Sequence, residues 1–240
     1  MHKSIINRFG LLFLMALLSP LAALAADGEA IMVHGAANPQ AMPCITCHGA
    51  DGMGMAAAGF PRLAGLPAPY IVKQLGDFRS AARQNPIMEP IAKALTDDEI
   101  AAVARAYAAR PPVNVTATAV DRPVRGTGAW LALRGAWERN IPECTLCHGP
   151  GGIGVGESFP PLAGQSAMYL EAQLKAWKGS MVEVKGKRKS LIITRRNDPN
   201  NLMQHIAADL SDAEIKAVAE YFFSLGDSSE PFNESQRRLR

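Results

Sequence analysis

Every cysteine of the 240-residue chain lies in one of two pentapeptides, Cys44-Ile45-Thr46-Cys47-His48 and Cys144-Thr145-Leu146-Cys147-His148, placed one hundred residues apart. Cys-x-x-Cys-His is the attachment sequence for c-type haem. Two thiols three positions apart can each add to a vinyl group of one porphyrin, and the histidine that follows reaches the iron from its proximal side. The chain is therefore expected to fold around two covalently bound haem c groups, tethered by Cys44, Cys47, Cys144 and Cys147, with His48 and His148 as iron ligands. A zinc ribbon spaces its two cysteine pairs about 15 to 20 residues apart, whereas Cys47 and Cys144 are separated by about a hundred. A thioredoxin-like dithiol belongs beside a strand in a βαβ unit and does not call for a histidine after its second cysteine. Structural disulfides are the remaining alternative, open to a secreted chain.

Secretion is what the N-terminus predicts. Lys3 and Arg8 precede an apolar run from Phe9 to Leu18, and Ala23-Leu24-Ala25 offers a small-residue cleavage site before Ala26 or Asp27. Residues 1–25 thus read as a signal peptide for the periplasm; an uncleaved anchor is the alternative, although Ser19-Pro20 interrupts a run already short for a bilayer. About 215 residues remain, which suits two domains better than one. With aromatic residues at only 6%, such a chain has a thin core of its own, and two macrocycles would supply the missing apolar bulk. Cleavage lowers the formal charge from +3 to +1, and ionised propionates would make it slightly negative. No global basic field points to nucleic acid.

The repeat extends beyond the pentapeptides. Phe60-Pro61-Arg62-Leu63-Ala64-Gly65 returns as Phe159-Pro160-Pro161-Leu162-Ala163-Gly164, Tyr70-x-x-x-Gln74-Leu75 as Tyr169-x-x-x-Gln173-Leu174, and Leu95-Thr96-Asp97-Asp98-Glu99-Ile100 as Leu210-Ser211-Asp212-Ala213-Glu214-Ile215. Two copies of one domain are expected, 26–110 and 129–226, with a Pro-, Thr- and Gly-containing linker over 111–128 and a tail over 227–240. Thr96 with Glu99 and Ser211 with Glu214 are capping boxes. Each opens a terminal helix whose apolar face carries Ile100, Val103, Ala104 and Tyr107, or Ile215, Val218, Ala219 and Phe222. Further helices are expected over Asp27–Ala37, Ala68–Ser80, Gly128–Arg139 and Ala167–Lys178. Alternating strand patterns are nearly absent, so the fold class is all-α: a tandem duplication with each domain wrapped around one haem.

The duplication also filters candidates for the distal iron ligand. Met88 lies seven residues before Leu95 and Met203 seven before Leu210, each in an Asn- and Pro-containing loop, and no other methionine pair coincides. Shared position singles out Met88 and Met203 against the usual role of methionine in core packing. His34 aligns with Arg134 and His205 with Pro90, so bis-histidine ligation would need a different solution in each copy; surface or helix-cap roles are expected for both.

Taken together, the Phe-Pro-x-Leu-Ala-Gly segment, the Tyr-x-x-x-Gln-Leu helix, the methionine before Leu-Ser/Thr-Asp-x-Glu-Ile and the tandem order resemble a dihaem cytochrome c of the cytochrome c4 family, from about Glu29 to Ser224. The resemblance implies two class I cytochrome c domains related by a pseudo-twofold axis, His/Met ligation of both irons, and electron transfer in the periplasm. It also implies that the carbonyls of Pro61 and Pro160 accept a hydrogen bond from the proximal histidines, fixing tautomer and ring orientation. With both axial positions filled, such a protein moves single electrons between a respiratory donor and a terminal oxidase or other acceptor, without bond chemistry of its own. A cytochrome subunit of a dehydrogenase complex, flavocytochrome-like, is the alternative; a dihaem enzyme, peroxidase-like or thiosulfate-oxidising, would need an open iron site. One departure stands out: Phe78 to Met88 spans ten steps but Trp177 to Met203 spans twenty-six. The sixteen extra residues carry Lys185, Lys187, Arg188, Lys189, Arg195 and Arg196. They are expected to form a short hairpin of Met181–Lys185 and Ser190–Thr194, either a solvated excursion or a docking surface over Lys185 to Arg196 for an acidic redox partner.

Overall fold

The computed structural model describes residues 26–115, 122–184 and 188–226. The leader, residues 116–121 of the expected linker, Lys185 and Lys187 of the basic stretch, and the tail 227–240 lie outside the described residues.

The first copy comprises α1 (Gly28–His34), α2 (Ile45–His48), α3 (Ala68–Arg79), α4 (Met88–Ala94) and α5 (Asp97–Ala108); the second repeats them as α6 (Gly128–Arg134), α7 (Cys144–His148), α8 (Ala167–Lys178), α9 (Leu202–Asp209) and α10 (Asp212–Ser224). The fold is all-α. Among the described residues the one sheet is the hairpin of β1 (Ser180–Val184) and β2 (Arg188–Ile192), antiparallel with Ser180 opposite Ile192. Its second strand begins and ends two residues earlier than the sequence pattern suggests. No described helix is long and apolar enough to cross a membrane.

Both terminal helices start as their sequences dictate. The Thr96 hydroxyl accepts from Glu99 N while Glu99 accepts from Thr96 N, and Ser211 and Glu214 repeat the exchange. The two expected apolar faces are buried throughout. Each terminal helix is crossed by the first helix of its copy at a glycine. A Cβ at Gly28 would stand 2.2 Å from Ala102 O, and one at Gly128 would stand 2.0 Å from Ala217 O. Backbone therefore meets backbone, and no other residue type permits that approach.

Two expectations are corrected. The helix over Gly128–Arg139 stops at Arg134, because Gly135 turns left-handed with φ +67° and a separate 3-10 turn follows at Trp137–Arg139; α1 ends likewise at His34, before Gly35 with φ +83°. Met88 and Met203 do not lie in loops but in the first turns of α4 and α9. Asn85 Oδ1 accepts from Ile87 N and Met88 N at 3.0 and 2.9 Å, and satisfies donors that α4 leaves open. Pro90 fits this first turn, where a helix loses nothing by a missing N–H.

The copies meet face to face. Arg62 N donates to Gln165 Oε1 at 2.9 Å, and Gln165 Nε2 donates back to Arg62 O at 3.1 Å. Farther along, Gln84 N donates to Thr194 O at 2.8 Å and Arg196 N to Ala82 O at 2.7 Å, a two-bond bridge centred on Arg83 and Arg195. That register corrects the reading of the insertion. Arg83 N bonds to the carbonyl of Asp77, and Arg195 N bonds to that of Ala176, the residues just before Phe78 and Trp177. Arg195 is thus the counterpart of Arg83 and no part of the extra sequence: thirteen of the sixteen extra residues fall before it and three after. It is only 4% exposed, so a docking surface over Lys185 to Arg196 cannot include it.

Candidate functional site

Each pentapeptide forms a single helical turn. Cys44 O accepts from Cys47 N and His48 N, which sets the two thiols one turn apart with the imidazole directly after them; α7 begins at Cys144 and ends at His148 in the same way. His48 Nδ1 lies 2.9 Å from Pro61 O, and His148 Nδ1 lies 2.8 Å from Pro160 O. A carbonyl only accepts, so Nδ1 carries the proton and the lone pair is left on Nε2. Burial pushes both imidazoles below their ordinary pKa, against the opposing pull of those carbonyls. Neutral, oriented rings are what an iron needs from a proximal ligand.

Both sites open on one cavity of about 950 Å³. Cys44, Cys47, His48 and Met88 line it from the first copy, and Cys144, Cys147, His148 and Met203 from the second. Of the other described methionines only Met42 reaches the lining. Met32 is buried in the core, while Met55, Met168 and Met181 are exposed. His34 and His205 are exposed and stand outside the cavity.

The cavity suits a large apolar group with charged edges. Ile71, Leu75 and Phe78 on one side and Leu170, Leu174 and Phe222 on the other form its walls. Three buried donors in the lining, Arg62 Nε, Tyr107 OH and Trp177 Nε1, have no hydrogen-bond partner in the protein, and such donors call for an acceptor. The thiols fit as well. None of the four cysteines is paired in a disulfide, and burial raises the Cys44 thiol and pushes Cys144 up to about 12. Among the described residues no cluster of three or more His, Cys, Asp or Glu side chains exists to hold a metal ion.

Sequence reading did not find the polar cluster between the two sites. Arg83 Nη1 donates to Gln74 Oε1 at 2.8 Å, and its Nη2 crosses to Gln173 Oε1 at 2.7 Å and Tyr169 OH at 2.8 Å. Arg195 donates to Gln173 Oε1 at 2.9 Å and crosses to Gln74 Oε1 at 3.3 Å. Each guanidinium stacks on its own copy's aromatic ring, Arg83 at 4.5 Å over Phe78 and Arg195 at 3.6 Å over Trp177. Burial, with Arg83 beside it, pushes Arg195 down to about 10. A signal was present in the repeated Arg-x-Asn of Arg83-Gln84-Asn85 and Arg195-Arg196-Asn197.

The cytochrome c family pattern matches residues 33–105 and 142–226, one stretch in each copy. Cytochrome c4 of Thiocapsa roseopersicina is 37% identical over 83% of this chain and 98% of its own length. The chain is a dihaem cytochrome c of the c4 family. It binds two covalent haem c groups, one at each Cys-x-x-Cys-His, and it is an electron-transfer protein. Two further relatives bear on its partners. The thiosulfate dehydrogenase electron acceptor of Stutzerimonas stutzeri is 60% identical to this cytochrome over 88% of the chain and 92% of its own length. The solved thiosulfate dehydrogenase of Marichromatium purpuratum matches with a TM-score of 0.65 and 37% identity over 89% of the chain; this cytochrome spans 41% of that longer protein.

Proposed function

We propose that this cytochrome is the periplasmic electron acceptor of a thiosulfate-oxidising dehydrogenase, handing the electrons on to a respiratory acceptor such as a terminal oxidase. The 60% identity to a protein of that role, along almost its whole length, carries the reading. The structural likeness to a thiosulfate dehydrogenase that is longer than this chain supports it. A dehydrogenase removes electrons in pairs, and two haem domains of 26–110 and 129–226 joined by 111–128 accept one each. The leader 1–25 delivers the chain to the compartment where c-type haem is attached, and hand-over takes place at a membrane complex from the periplasmic side.

Bound haem supplies a one-electron iron couple; the protein tunes and shields it. Cys44, Cys47, Cys144 and Cys147 hold the macrocycles. His48 and His148, oriented by Pro61 and Pro160, would ligate the two irons, and Met88 and Met203 would supply their thioether ligands. Met42 also reaches the cavity, but Pro142 stands at its place in the second copy. A thioether ligand would raise the potential, and with a histidine and a methionine given to each iron the protein would carry electrons without bond chemistry of its own.

The test is stopped-flow reduction of the oxidised cytochrome by a purified thiosulfate dehydrogenase. Enzyme plus thiosulfate should reduce both haems, two electrons per chain, and thiosulfate alone should reduce neither. Failure with the enzyme would defeat the partner assignment, and reduction by thiosulfate alone would make the chain an enzyme.

A further inference from the structure

The two arginines at the centre of the interface are buried cations without an anion. Arg83 is 6% and Arg195 4% exposed, and among the described residues neither forms an ion pair with a carboxylate. Burying one unpaired charge costs several kcal/mol, and burying two side by side costs more. Their acceptors are the amides of Gln74 and Gln173, each shared by both guanidiniums, together with the Tyr169 hydroxyl for Arg83 and the Asn197 amide for Arg195. Glutamates in those places would neutralise the pair from within the protein. Glutamines hold the guanidiniums in position and leave their charge available.

Both arginines line the cavity that opens on the two haem attachment sites. The groups that enter this cavity bring carboxylates, since every haem carries two propionates. We infer that Arg83 and Arg195 are shared anchors for the propionates of both haems, so that each arginine sets the reduction potential of the haem in the other domain as well as in its own. The crossed hydrogen bonds are the reason for the sharing. Arg83 belongs to the first domain but is held by Gln173 and Tyr169 of the second; Arg195 belongs to the second but is held by Gln74 of the first. Neither cation can be assigned to one haem alone. They are positioning residues that act on the irons through charge, and the inference rests on the two haems whichever enzyme supplies the electrons.

A cation near a haem favours the ferrous state, so its removal lowers the potential. Arg195→Gln and Arg83→Gln are each compared with Lys216→Gln, which removes the same charge from an exposed site in α10. Spectroelectrochemical titration of the holoprotein resolves two one-electron waves. Each arginine variant should lower both waves, each by about tenfold in the ferric-to-ferrous ratio at a fixed potential, or about 59 mV. Lys216→Gln should move neither. Arg195→Lys, which keeps the charge and loses the planar fork, should restore most of both shifts, and it is the variant to read should Arg195→Gln assemble poorly. A shift confined to one wave in each variant would show that the arginines serve their own haems separately, and shifts no larger than those of Lys216→Gln would show that they only hold the domains together. Either result overturns the inference, while two haems by mass would still leave the dihaem assignment standing.

Discussion

The same chemical change, glycine to alanine in a helix, is expected to have opposite effects at two positions of this cytochrome. At Gly128 the new Cβ would stand 2.0 Å from Ala217 O and 2.4 Å from Ala217 C, where ordinary contact begins at 3.4 Å. All of the obstructing atoms are backbone, so α6 and α10 must part by about 1.4 Å. Overpacking of this kind costs about 1–3 kcal/mol. The helix-propensity gain of up to ~1 kcal/mol is smaller in the first turn, where Gly128 sits. The expected net effect is a loss of about 1–2 kcal/mol, which in a domain of this size lowers Tm by about 4–16 °C. At Gly76, inside α3, a Cβ meets nothing within 4 Å. There the propensity gain stands alone, and Gly76→Ala should stabilise by about 0.5–1 kcal/mol. Thermal unfolding of the two holoproteins, followed by far-ultraviolet circular dichroism, reads both signs. A Gly128→Ala variant as stable as its parent would refute the backbone-to-backbone crossing, and a destabilised Gly76→Ala variant would refute the open surface at α3.

Other outcomes can be stated more briefly. Intact mass should exceed that of the chain beginning at Ala26 or Asp27 by two haems, with no titratable thiol left; one haem, or a zinc, would contradict the assignment. The oxidised protein should show the weak near-infrared sulfur-to-iron band, with Met88→Ala and Met203→Ala each removing about half of it and His205→Ala none. Arg139 grips Glu214 through both oxygens and holds its carboxyl at about 2, below the ordinary carboxylate range. The unfolded chain therefore binds the proton first, so this contribution is complete above about pH 4.5 and is lost as pH falls toward 2. Because the pair is partly solvent-exposed it amounts to about 1 kcal/mol, and Glu214→Gln should remove that much of the acid sensitivity in urea titrations at pH 6 and pH 3. Replacing Lys187, Arg188 and Lys189 with glutamate should slow reduction by an acidic partner at low salt and leave the absorption spectrum unchanged; equal rates across a salt series would assign the stretch to solvent.

What the sequence made legible follows local rules. The capping boxes at Thr96 and Ser211 and the apolar stripes behind them depend on residues three or four apart, and the helices start and bury as those residues dictate. The extent of the c4 resemblance was legible because the two copies repeat each other. The break after Arg134 was not, since its cause is the approach of Ile141 O to within 2.4 Å of where a Cβ would sit on Gly135, a contact made only when the chain has turned back on itself. The Asn- and Pro-containing segments around Met88 and Met203 read as loops, although Pro90 occupies a first turn that tolerates it. The arginine pair was the largest omission. Arg83 and Arg195 are 112 residues apart, and nothing in either segment alone says that a basic residue amid an apparent surface insertion is buried against its twin.

The hairpin between Lys178 and Ile193 leaves the domain and returns to it without disturbing the bond from Arg195 N to Ala176 O that matches the bond from Arg83 N to Asp77 O. Changes in its length or charge therefore stay outside the register that positions Arg195, and with it the polar centre between the haems. For the protein engineer this makes the hairpin an exchangeable handle. Sequences grafted between Gly179 and Ile193 should leave the register of Arg195, and the cluster it belongs to, as they are.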